Sequence, residues 1–251
     1  MNRREFTALA GGVLASWAAG AACDYPGPLS AQSDGRLSVR PRAAGKTSAA
    51  GVQALGLDTA RDAWVLVPEH ETGAPLPLVV MLHGAGGSAE RFLKRFAQAP
   101  ADAGVALLVP SSRSSTWDAI RGGMGPDVTF LDRALAKVFE LVAVDPTRIA
   151  VGGFSDGASY ALSLGLINGD LFRRVIAFSP GFVVDGAAHG KPQFFISHGT
   201  SDPILPIDQC SRRIVPDLKR RGYDVTFREF DGGHEVPPPI AAEALKWAAA
   251  R

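Results

Sequence analysis

The sequence predicts one α/β domain built on a mostly parallel β-sheet with helices on both faces. Short apolar runs alternate with segments of helical periodicity over most of residues 61–251. The apolar runs are nearly continuous rather than alternating, which is typical of strands that are covered on both faces. With 251 residues, 46% of them hydrophobic, the chain can form one sizeable core and carry an additional N-terminal segment.

Strands are predicted from the apolar runs, and helices from apolar residues that recur every three or four positions. The predicted strands are residues 64–67, 76–82, 105–109, 148–154, 175–178, 193–197 and 225–230. The predicted helices are residues 89–99, 127–142, 156–166, 207–221 and 238–249. In sheets of this kind sites form beyond the carboxyl ends of the strands, so the residues that follow the strands are the site candidates.

The N-terminal residues 1–22 are predicted to be an export signal rather than part of the fold. Arg3 and Arg4 precede Phe6 and a modestly apolar, Ala- and Gly-rich run at residues 8–22. This pattern is typical of a twin-arginine signal, and a general secretory signal is the alternative. The run is short and is followed by polar sequence, so it does not predict a transmembrane helix.

Small residues directly before Cys23 resemble a lipoprotein cleavage site, after which Cys23 would carry lipid and Asp24 would favour retention at the inner membrane. Simple cleavage at a small-residue site is the alternative. Residues 23–60 contain scattered Pro, Gly and Ser without a sustained period and are predicted to be a linker, with room for an early strand near its end. The expected location is the bacterial periplasm, either free or anchored to the inner membrane through Cys23.

Charge and cysteine content argue against several classes of partner and site. Lys and Arg total 26 and Asp and Glu total 25, without a long run of one sign, so nucleic acid and anionic surfaces are not expected partners. The two cysteines are too few for a disulfide framework, and Cys210 is predicted to be a free, partly buried thiol. The sequence contains no C-x-x-C pair, so a metal site is not expected.

The most informative motif is G-x-S-x-G at residues 153–157, which lies between a predicted strand and a predicted helix. A sharp strand-to-helix turn of this kind holds its serine in a strained conformation with the Oγ exposed. The glycines are needed because side chains would clash in so tight a turn. Ser155 is therefore a candidate nucleophile, and a small residue in an ordinary Gly-rich turn is the alternative.

A serine nucleophile needs a base, and the sequence has five histidines. In sites built on this turn the acid and then the histidine follow the serine along the chain, which leaves His189, His198 and His234. His234 comes just after the last predicted strand, where a loop can return over the serine, and is the predicted base. His189 lies in a Gly/Ala loop, and His198 directly precedes the segment of the candidate acid.

The imidazole in turn needs a carboxylate that orients it. Asp202 follows the predicted strand at residues 193–197 among turn-forming neighbours, which makes it the predicted acid. The competing carboxylates are Asp185, Asp208 and Asp231. An aspartate that only shapes its own turn is the alternative role for Asp202.

A Gly-rich segment, H-G-A-G-G at residues 83–87, lies between another predicted strand and helix. Its glycines allow backbone N–H groups to point at a substrate oxygen, and the predicted oxyanion donors are the N–H groups of Ala85 and Asp156. A phosphate-binding loop is the alternative, but the Lys-Ser/Thr pair and the G-x-G-x-x-G spacing are missing. Other members of the segment are expected to line the substrate site: His83, Gly84 and Gly86.

Residues 111–126 form a long, polar, Gly-rich segment after a predicted strand. Long loops in compact domains are often functional, so Trp117 and Asp118 are expected to line the acyl or alcohol pocket. A tryptophan that anchors this loop to the core is the alternative. The connection between residues 178 and 193 is too short for a lid domain, so an open site is expected.

These motifs follow one another in a single order, and residues 63–247 resemble small α/β-hydrolases of the phospholipase/carboxylesterase group. The resemblance implies an α/β-hydrolase fold and a triad of Ser155, Asp202 and His234. It also implies hydrolysis of a small-molecule ester through an acyl-enzyme, without metal or cofactor. Four pieces carry the resemblance: H-G-A-G-G at 83–87, G-F-S-D-G-A-S at 153–159, H-G-T-S-D at 198–202, and G-H at 233–234.

Asp156 departs from the pattern of this group, in which the residue after the nucleophile is usually Gln, His or Met. Only its backbone is needed for the oxyanion, but a carboxylate beside the site is expected to disfavour anionic substrates. A serine peptidase with the same triad and a non-catalytic envelope lipoprotein on a hydrolase fold remain as other classes. A polyester depolymerase or feruloyl-type esterase stays within the esterase interpretation. The expected assembly is a monomer or dimer.

Overall fold

The structure is a computed structural model that describes residues 34–41, 49–71, 73–96 and 98–251. Its strands are β1 Gly51–Ala54, β2 Ala63–Val67, β3 Leu76–Leu82, β4 Ala106–Pro110, β5 Val144–Phe154, β6 Arg174–Phe178, β7 Gln193–Gly199 and β8 Val225–Phe230. Its α-helices are α1 Ala89–Phe96, α2 Gln98–Asp102, α3 Pro126–Leu141, α4 Asp156–Ile167, α5 Ser211–Arg220 and α6 Pro238–Ala249.

The strands form one eight-stranded sheet in the order β1-β2-β4-β3-β5-β6-β7-β8. β1 and β2 run antiparallel to their neighbours, and all other neighbouring strands are parallel. The predicted mostly parallel sheet is therefore confirmed. Since the parallel strands share one direction, the turns after β3, β5, β7 and β8 all lie at the same edge of the sheet.

Helices cover both faces of the sheet, as predicted. One core contains side chains of α3, α4 and α5, such as Leu131 and Ile214. The other contains side chains of α1 and α6, such as Phe92 and Leu245. This double cover explains the continuous apolar runs, since every residue of Leu76–Leu82 is buried.

The helix that follows Ser155 packs unusually close to the sheet because small residues face it. A Cβ atom added to Gly165 would lie 2.4 Å from Val175 Cγ2 on β6. All residues of α4 after its first are buried, so this helix is part of the core and not an amphipathic surface helix. The depth of α4 places its first turn, and hence Ser155, firmly against the ends of β3 and β5.

Three elements differ from the sequence-based expectations. β1 lies where an early strand was expected near the end of residues 23–60, but its bounds were not predicted, because its residues are mostly exposed and form no apolar run. The helix expected over residues 89–99 reaches further along the chain, since α1 and α2, on either side of residue 97, which is not described, extend the helical residues to Asp102. The helix expected over residues 207–221 begins only at Ser211, since residues 207–210 form turns in which Cys210 N–H donates to Pro206 O at 3.2 Å.

Part of the predicted linker belongs to the folded domain. Leu37 is only 1% exposed and lies in the larger core. Its N–H donates to Asn168 Oδ1 at 2.9 Å, and Arg36 makes an ion pair with Asp170 at 2.8 Å. Residues 34–41 are therefore docked at the end of α4, which corrects the interpretation of residues 23–60 as a linker. The predicted export signal and Cys23 lie outside the described residues.

Cys210 is disulfide-bonded and buried, so the prediction of a free thiol is wrong. The sequence contains one other cysteine, Cys23. Within the described ranges, no helix combines the length and apolar character that crossing a bilayer requires.

Candidate active site

Ser155 occupies a strained turn between β5 and α4. Its backbone has φ 59° and ψ −122°, a conformation that residues other than glycine rarely adopt. A Cβ atom added to Gly157 would lie 2.2 Å from the Leu82 carbonyl oxygen, and one added to Gly153 would lie 2.3 Å from the Gly157 carbonyl carbon. The two glycines of the motif are thus required by backbone-to-backbone contact on both sides of the serine.

The three residues of the predicted triad lie together in one hydrogen-bonded chain. Ser155 Oγ lies 2.9 Å from His234 Nε2. His234 Nδ1 lies 2.7 Å from Asp202 Oδ2. Since a carboxylate oxygen only accepts, Nδ1 of neutral His234 carries the proton and Nε2 faces the serine as an acceptor. This is the arrangement that a histidine needs to remove the proton of a serine hydroxyl.

Asp202 is buried at the turn after β7 and is held by several donors. Its Oδ1 accepts the N–H groups of Ile204 and Leu205, each at 2.9 Å. Burial alone would raise the pKa of Asp202, but hydrogen bonds from Leu205, His234 and Ile204 outweigh it and keep the pKa below its ordinary value. The carboxyl group is therefore ionised at neutral pH.

The loop after β8 carries His234 back over the serine. The loop passes close to β7, since a Cβ atom added to Gly199 would lie 2.2 Å from Gly233 O. The imidazole ring of His234 packs against Phe154, with ring centroids 4.7 Å apart. The competing histidines lie elsewhere: His189 is exposed, and His198 is buried beside the acid with Nε2 3.2 Å from Asp202 Oδ2.

The two predicted oxyanion donors flank the serine. Asp156 is the first residue of α4, and Ala85 lies in the turn after β3. In the part of the chain that the structure describes, no hydrogen bond uses the N–H of Ala85 or of Asp156. A Cβ atom added to Gly84 would lie 3.3 Å from Ser155 Cβ, which places this glycine's backbone directly against the nucleophile. The oxyanion role itself stays a prediction.

His83 braces the Gly-rich turn and is not placed to bind substrate. It is only 2% exposed, and burial lowers its pKa to about 4, so the ring is neutral. Its Nδ1–H donates to Gly84 O at 2.8 Å, and its Nε2 accepts the N–H of Ser112 at 3.0 Å. Both ring nitrogens are therefore used within the protein, which corrects the expectation that His83 lines the substrate site.

Trp117 is buried, and Asp118 borders a cavity formed with residues 121–126 and not with the triad, so the expectation that they line the substrate pocket is also corrected. Trp117 is 0% exposed, its Nε1–H donates to His83 O at 2.8 Å, and its ring stacks on Tyr160 at 5.2 Å. Asp118 is buried, and its Oδ2 accepts the N–H groups of Gly125 and Asp127. The tryptophan anchors the loop to the core, which was the alternative considered from the sequence.

Several supporting residues have no signature in the sequence. The Asp118 N–H donates to Asp127 Oδ2 at 2.7 Å, so that each of the two aspartates accepts the N–H of the other. Burial raises the pKa of Asp127 to about 6. Arg61, far away in sequence, donates to Gly87 O at 3.0 Å and to the carbonyl of Ser112. Only the folded chain brings these partners together, so no local pattern could identify them.

The side chains of Thr116 and Asp156 contact each other next to Ser155. The Thr116 hydroxyl donates to Asp156 Oδ2 at 2.6 Å, which fixes the one carboxylate beside the predicted oxyanion position. Residues 179–192, where a lid would have to lie, contain no helix and only an isolated bridge between Gly169 and Gly190. The described residues contain no cluster of three or more His, Cys, Asp or Glu that could hold a metal ion.

Comparisons with known proteins point to the same class. The sequence profile described as Phospholipase/Carboxylesterase matches residues 128–247. A probable feruloyl esterase C of Aspergillus oryzae is 26% identical over 218 residues, covering 71% of this chain and 79% of the relative. The chain has the α/β-hydrolase fold and is similar to esterases of this group. It is a serine hydrolase that acts on ester bonds.

Solved structures support the fold. The crystal structure of esterase PE8 has a TM-score of 0.57 and 24% identity, covering 70% of this chain and 92% of that one. A CE1 ferulic acid esterase of Anaeromyces mucronatus, in complex with ferulic acid, has a TM-score of 0.59 and 16% identity, covering 84% of this esterase and 93% of that chain. At these identities the likeness establishes the α/β-hydrolase fold alone.

We expect Trp117→Ala to reduce stability rather than to change ester preference. Removing a fully buried aromatic side chain costs about 3–5 kcal/mol of unfolding free energy. Activity on short and long acyl esters should fall by the same factor, because the indole touches His83 and not the substrate. Denaturant unfolding and a chain-length series measure the two effects, with Trp117→Phe as the milder control. A changed chain-length preference at unaltered stability would indicate that Trp117 lines the substrate pocket after all.

Proposed function

We propose that this esterase hydrolyses carboxylic esters with Ser155 as nucleophile, His234 as base and Asp202 as the acid that orients the histidine. The observation that carries the proposal is the continuous hydrogen-bonded chain from Ser155 Oγ through His234 to Asp202, with links of 2.9 Å and 2.7 Å. The strained φ of 59° at Ser155 supports it, since such strain is stored at functional sites.

The first half of the reaction forms an acyl-enzyme. His234 Nε2 accepts the proton of the Ser155 hydroxyl while Oγ attacks the ester carbonyl carbon. The carbonyl oxygen becomes an oxyanion, which the N–H groups of Ala85 and Asp156 are positioned to bind. One such donor contributes about 3–4 kcal/mol to transition-state stabilisation. The imidazolium then protonates the alcohol oxygen, and the alcohol leaves.

The second half releases the acid by the same groups. Water replaces the alcohol, His234 Nε2 accepts one of its protons, and the water oxygen attacks the acyl carbon. The tetrahedral intermediate collapses, the proton returns to Ser155 Oγ, and the carboxylic acid leaves. Throughout, the ionised Asp202 accepts the Nδ1–H of His234 and stabilises the imidazolium. All reacting groups come from one chain, so the proposed active unit is a monomer or a dimer of complete sites.

The proposed substrates are soluble, small-molecule esters that need no interfacial activation, because residues 179–192 supply only an irregular loop. Phenolic acid esters are the natural class to test first. Two relatives found by sequence and by structure are named as feruloyl or ferulic acid esterases. Peptides and polyesters use the same triad chemistry elsewhere and serve as comparison substrates.

We expect Ser155→Ala to abolish ester hydrolysis. Removing the nucleophile of a triad lowers kcat roughly 10⁶-fold. The measurement is hydrolysis of a p-nitrophenyl ester series and of methyl ferulate by residues 23–251, which keep both cysteines. Ser201→Ala, which alters an exposed serine on the neighbouring turn, is the matched control and should keep wild-type rates.

Each outcome of this experiment has a definite meaning. Activity that persists in Ser155→Ala would refute the proposed nucleophile. A folded wild type that hydrolyses none of the esters and takes no fluorophosphonate label at Ser155 would favour a non-catalytic role. Labelling without ester hydrolysis would instead direct attention to peptides and polyesters.

We expect Asp156→Asn to improve the hydrolysis of anionic esters relative to neutral ones. A unit charge removed at about 8 Å in a partly hydrated site changes the interaction by about 1 kcal/mol, or roughly fivefold. The amide oxygen of Asn can still accept the Thr116 hydroxyl, so the site should stay intact. The measurement is the ratio of kcat/KM for a succinate monoester to that for a butyrate ester, with Asp208→Asn as the distant control. An unchanged ratio would mean that the Asp156 carboxylate does not influence the choice between anionic and neutral esters.

We further propose that the mature chain works outside the bacterial cytoplasm, in the periplasm. The disulfide at Cys210 supports this, since disulfides persist in oxidising compartments, and so does the arginine pair before an apolar run. Lipidation of Cys23 remains the alternative for this residue. It excludes a disulfide at the same sulfur, because a sulfur alkylated by lipid has no thiol left to oxidise.

We expect peptide mapping of protein from the cell envelope, without reductant, to link the peptides of Cys23 and Cys210. The expected mass lacks the two thiol hydrogens, and reduction should separate the peptides. A diacylglyceryl group on Cys23 would instead establish a lipid anchor and leave Cys210 to bond elsewhere. Cys210→Ser is the control that removes the linked peptide without touching a lipidation site.

A further inference from the structure

A second histidine, His198, lies beside the acid and is not used by the proposed reaction. It is the penultimate residue of β7, and its side chain is 0% exposed. Its Nε2 lies 2.7 Å from Leu205 O and 3.2 Å from Asp202 Oδ2. Its Nδ1 lies 2.7 Å from the hydroxyl of Ser211, the first residue of α5.

These contacts determine which nitrogen of the His198 ring carries the proton. A carbonyl oxygen can only accept, so Nε2 must be protonated to bond to Leu205 O. Nδ1 is then the acceptor of the Ser211 hydroxyl. The Nε2–H therefore donates to Leu205 O, and the carboxylate oxygen Oδ2 of Asp202 lies 3.2 Å from the same nitrogen. Burial lowers the pKa of His198, which keeps the ring neutral in this position.

We propose that His198 is a positioning residue for Asp202, attracting the carboxylate through the neighbouring Nε2–H group so that Oδ2 stays directed at His234. This role rests on the proposed function of Asp202 as the acid of the triad. Oδ1 is fixed by two backbone N–H groups, of Ile204 and Leu205. Oδ2 accepts the Nδ1–H of His234 and lies 3.2 Å from the Nε2 of His198. Without the second imidazole, Oδ2 would be positioned by the catalytic ring alone.

His198 is not a second base for the serine. Among the described contacts, Ser155 Oγ bonds to His234 and not to His198. The charged or titratable groups that face His198 are Asp202, His234 and Glu229 on the adjacent strand β8. Glu229 is paired with Arg212 at 2.6 Å, so its charge is already compensated. The neutral donor to Asp202 is therefore the specific contribution of this ring.

The test compares His198→Leu, which removes the donor, with His198→Gln, whose amide N–H can reach the same acceptors. In His198→Leu we expect kcat on a short p-nitrophenyl ester to fall about 10- to 100-fold with little change in KM. The carboxylate loses a compensating donor, so it holds the protonated form of the base more strongly. The acidic limb of the kcat/KM profile should therefore move to higher pH. His198→Gln should recover most of the rate and the original profile.

Two results would overturn the proposal. One is a His198→Leu enzyme with wild-type kcat and pH profile. The other is a folded His198→Gln enzyme as impaired as His198→Leu, which would mean that packing rather than the donor matters. Melting temperatures of both variants identify a loss that comes from unfolding. Activity that survives Ser155→Ala would refute the proposed function itself, whereas an inactive Ser155→Ala beside a fully active His198→Leu refutes only the role of His198.

Long-range ¹H–¹⁵N spectra of the wild-type histidines give an independent check if His198→Leu does not fold. We expect His198 to show the neutral Nε2–H form throughout the pH range of activity. A His198 signal in the Nδ1–H form, or one that is protonated at neutral pH, would contradict the proposed hydrogen bonds.

Discussion

The structure depends on the close approach of three backbone segments around Ser155. The end of β5, the first turn of α4 and the end of β3 meet so tightly that a Cβ atom on Gly157 would lie 2.2 Å from the Leu82 carbonyl oxygen. This contact leaves no room for side chains, and the serine between the segments is forced to φ 59°. Strain of this kind costs about 1–3 kcal/mol, and the buried helix and strands around it maintain it.

Buried hydrogen bonds hold the two loops next to this turn, the Gly-rich turn after β3 and the long loop after β4. His83 uses both ring nitrogens to hold the Gly-rich turn, and Asp118 and Asp127 exchange backbone contacts to close the long loop. The low dielectric of the interior strengthens each of these bonds. The groups next to a substrate are thus positioned mainly by polar residues that a substrate never touches.

Local sequence patterns were sufficient where a structural feature is built from consecutive residues. The strand Leu76–Leu82 agrees with its prediction residue for residue, because burial on both faces leaves one unbroken apolar run. The turn at Ser155 is encoded in the same way by its two glycines. Patterns failed where a role depends on distant partners. The exposed strand β1 has no apolar run, and Leu37 is buried by residues more than a hundred positions away.

Trp117 shows a second limit on what a sequence can predict. An indole in a polar loop looks the same in sequence whether it faces a substrate or the core, and only the bond from Nε1–H to His83 O decides between the two. His198 is similar, since its tautomer is set by the carbonyl oxygen of Leu205, and its other nitrogen accepts from Ser211 at the start of another helix. A sequence can suggest which residue types matter, but it does not specify which atoms of distant residues meet.

The proposed oxyanion site has a consequence for how this enzyme can evolve. Its donors are backbone groups, so the side chains at the same two positions are not constrained by the chemistry. Ala85 is exposed and Asp156 is half-buried, and in the proposed site both side chains lie beside the bound ester. Natural variation or laboratory selection can therefore change substrate preference at these two codons while the reaction machinery stays intact, a separation that enzymes with side-chain donors do not have.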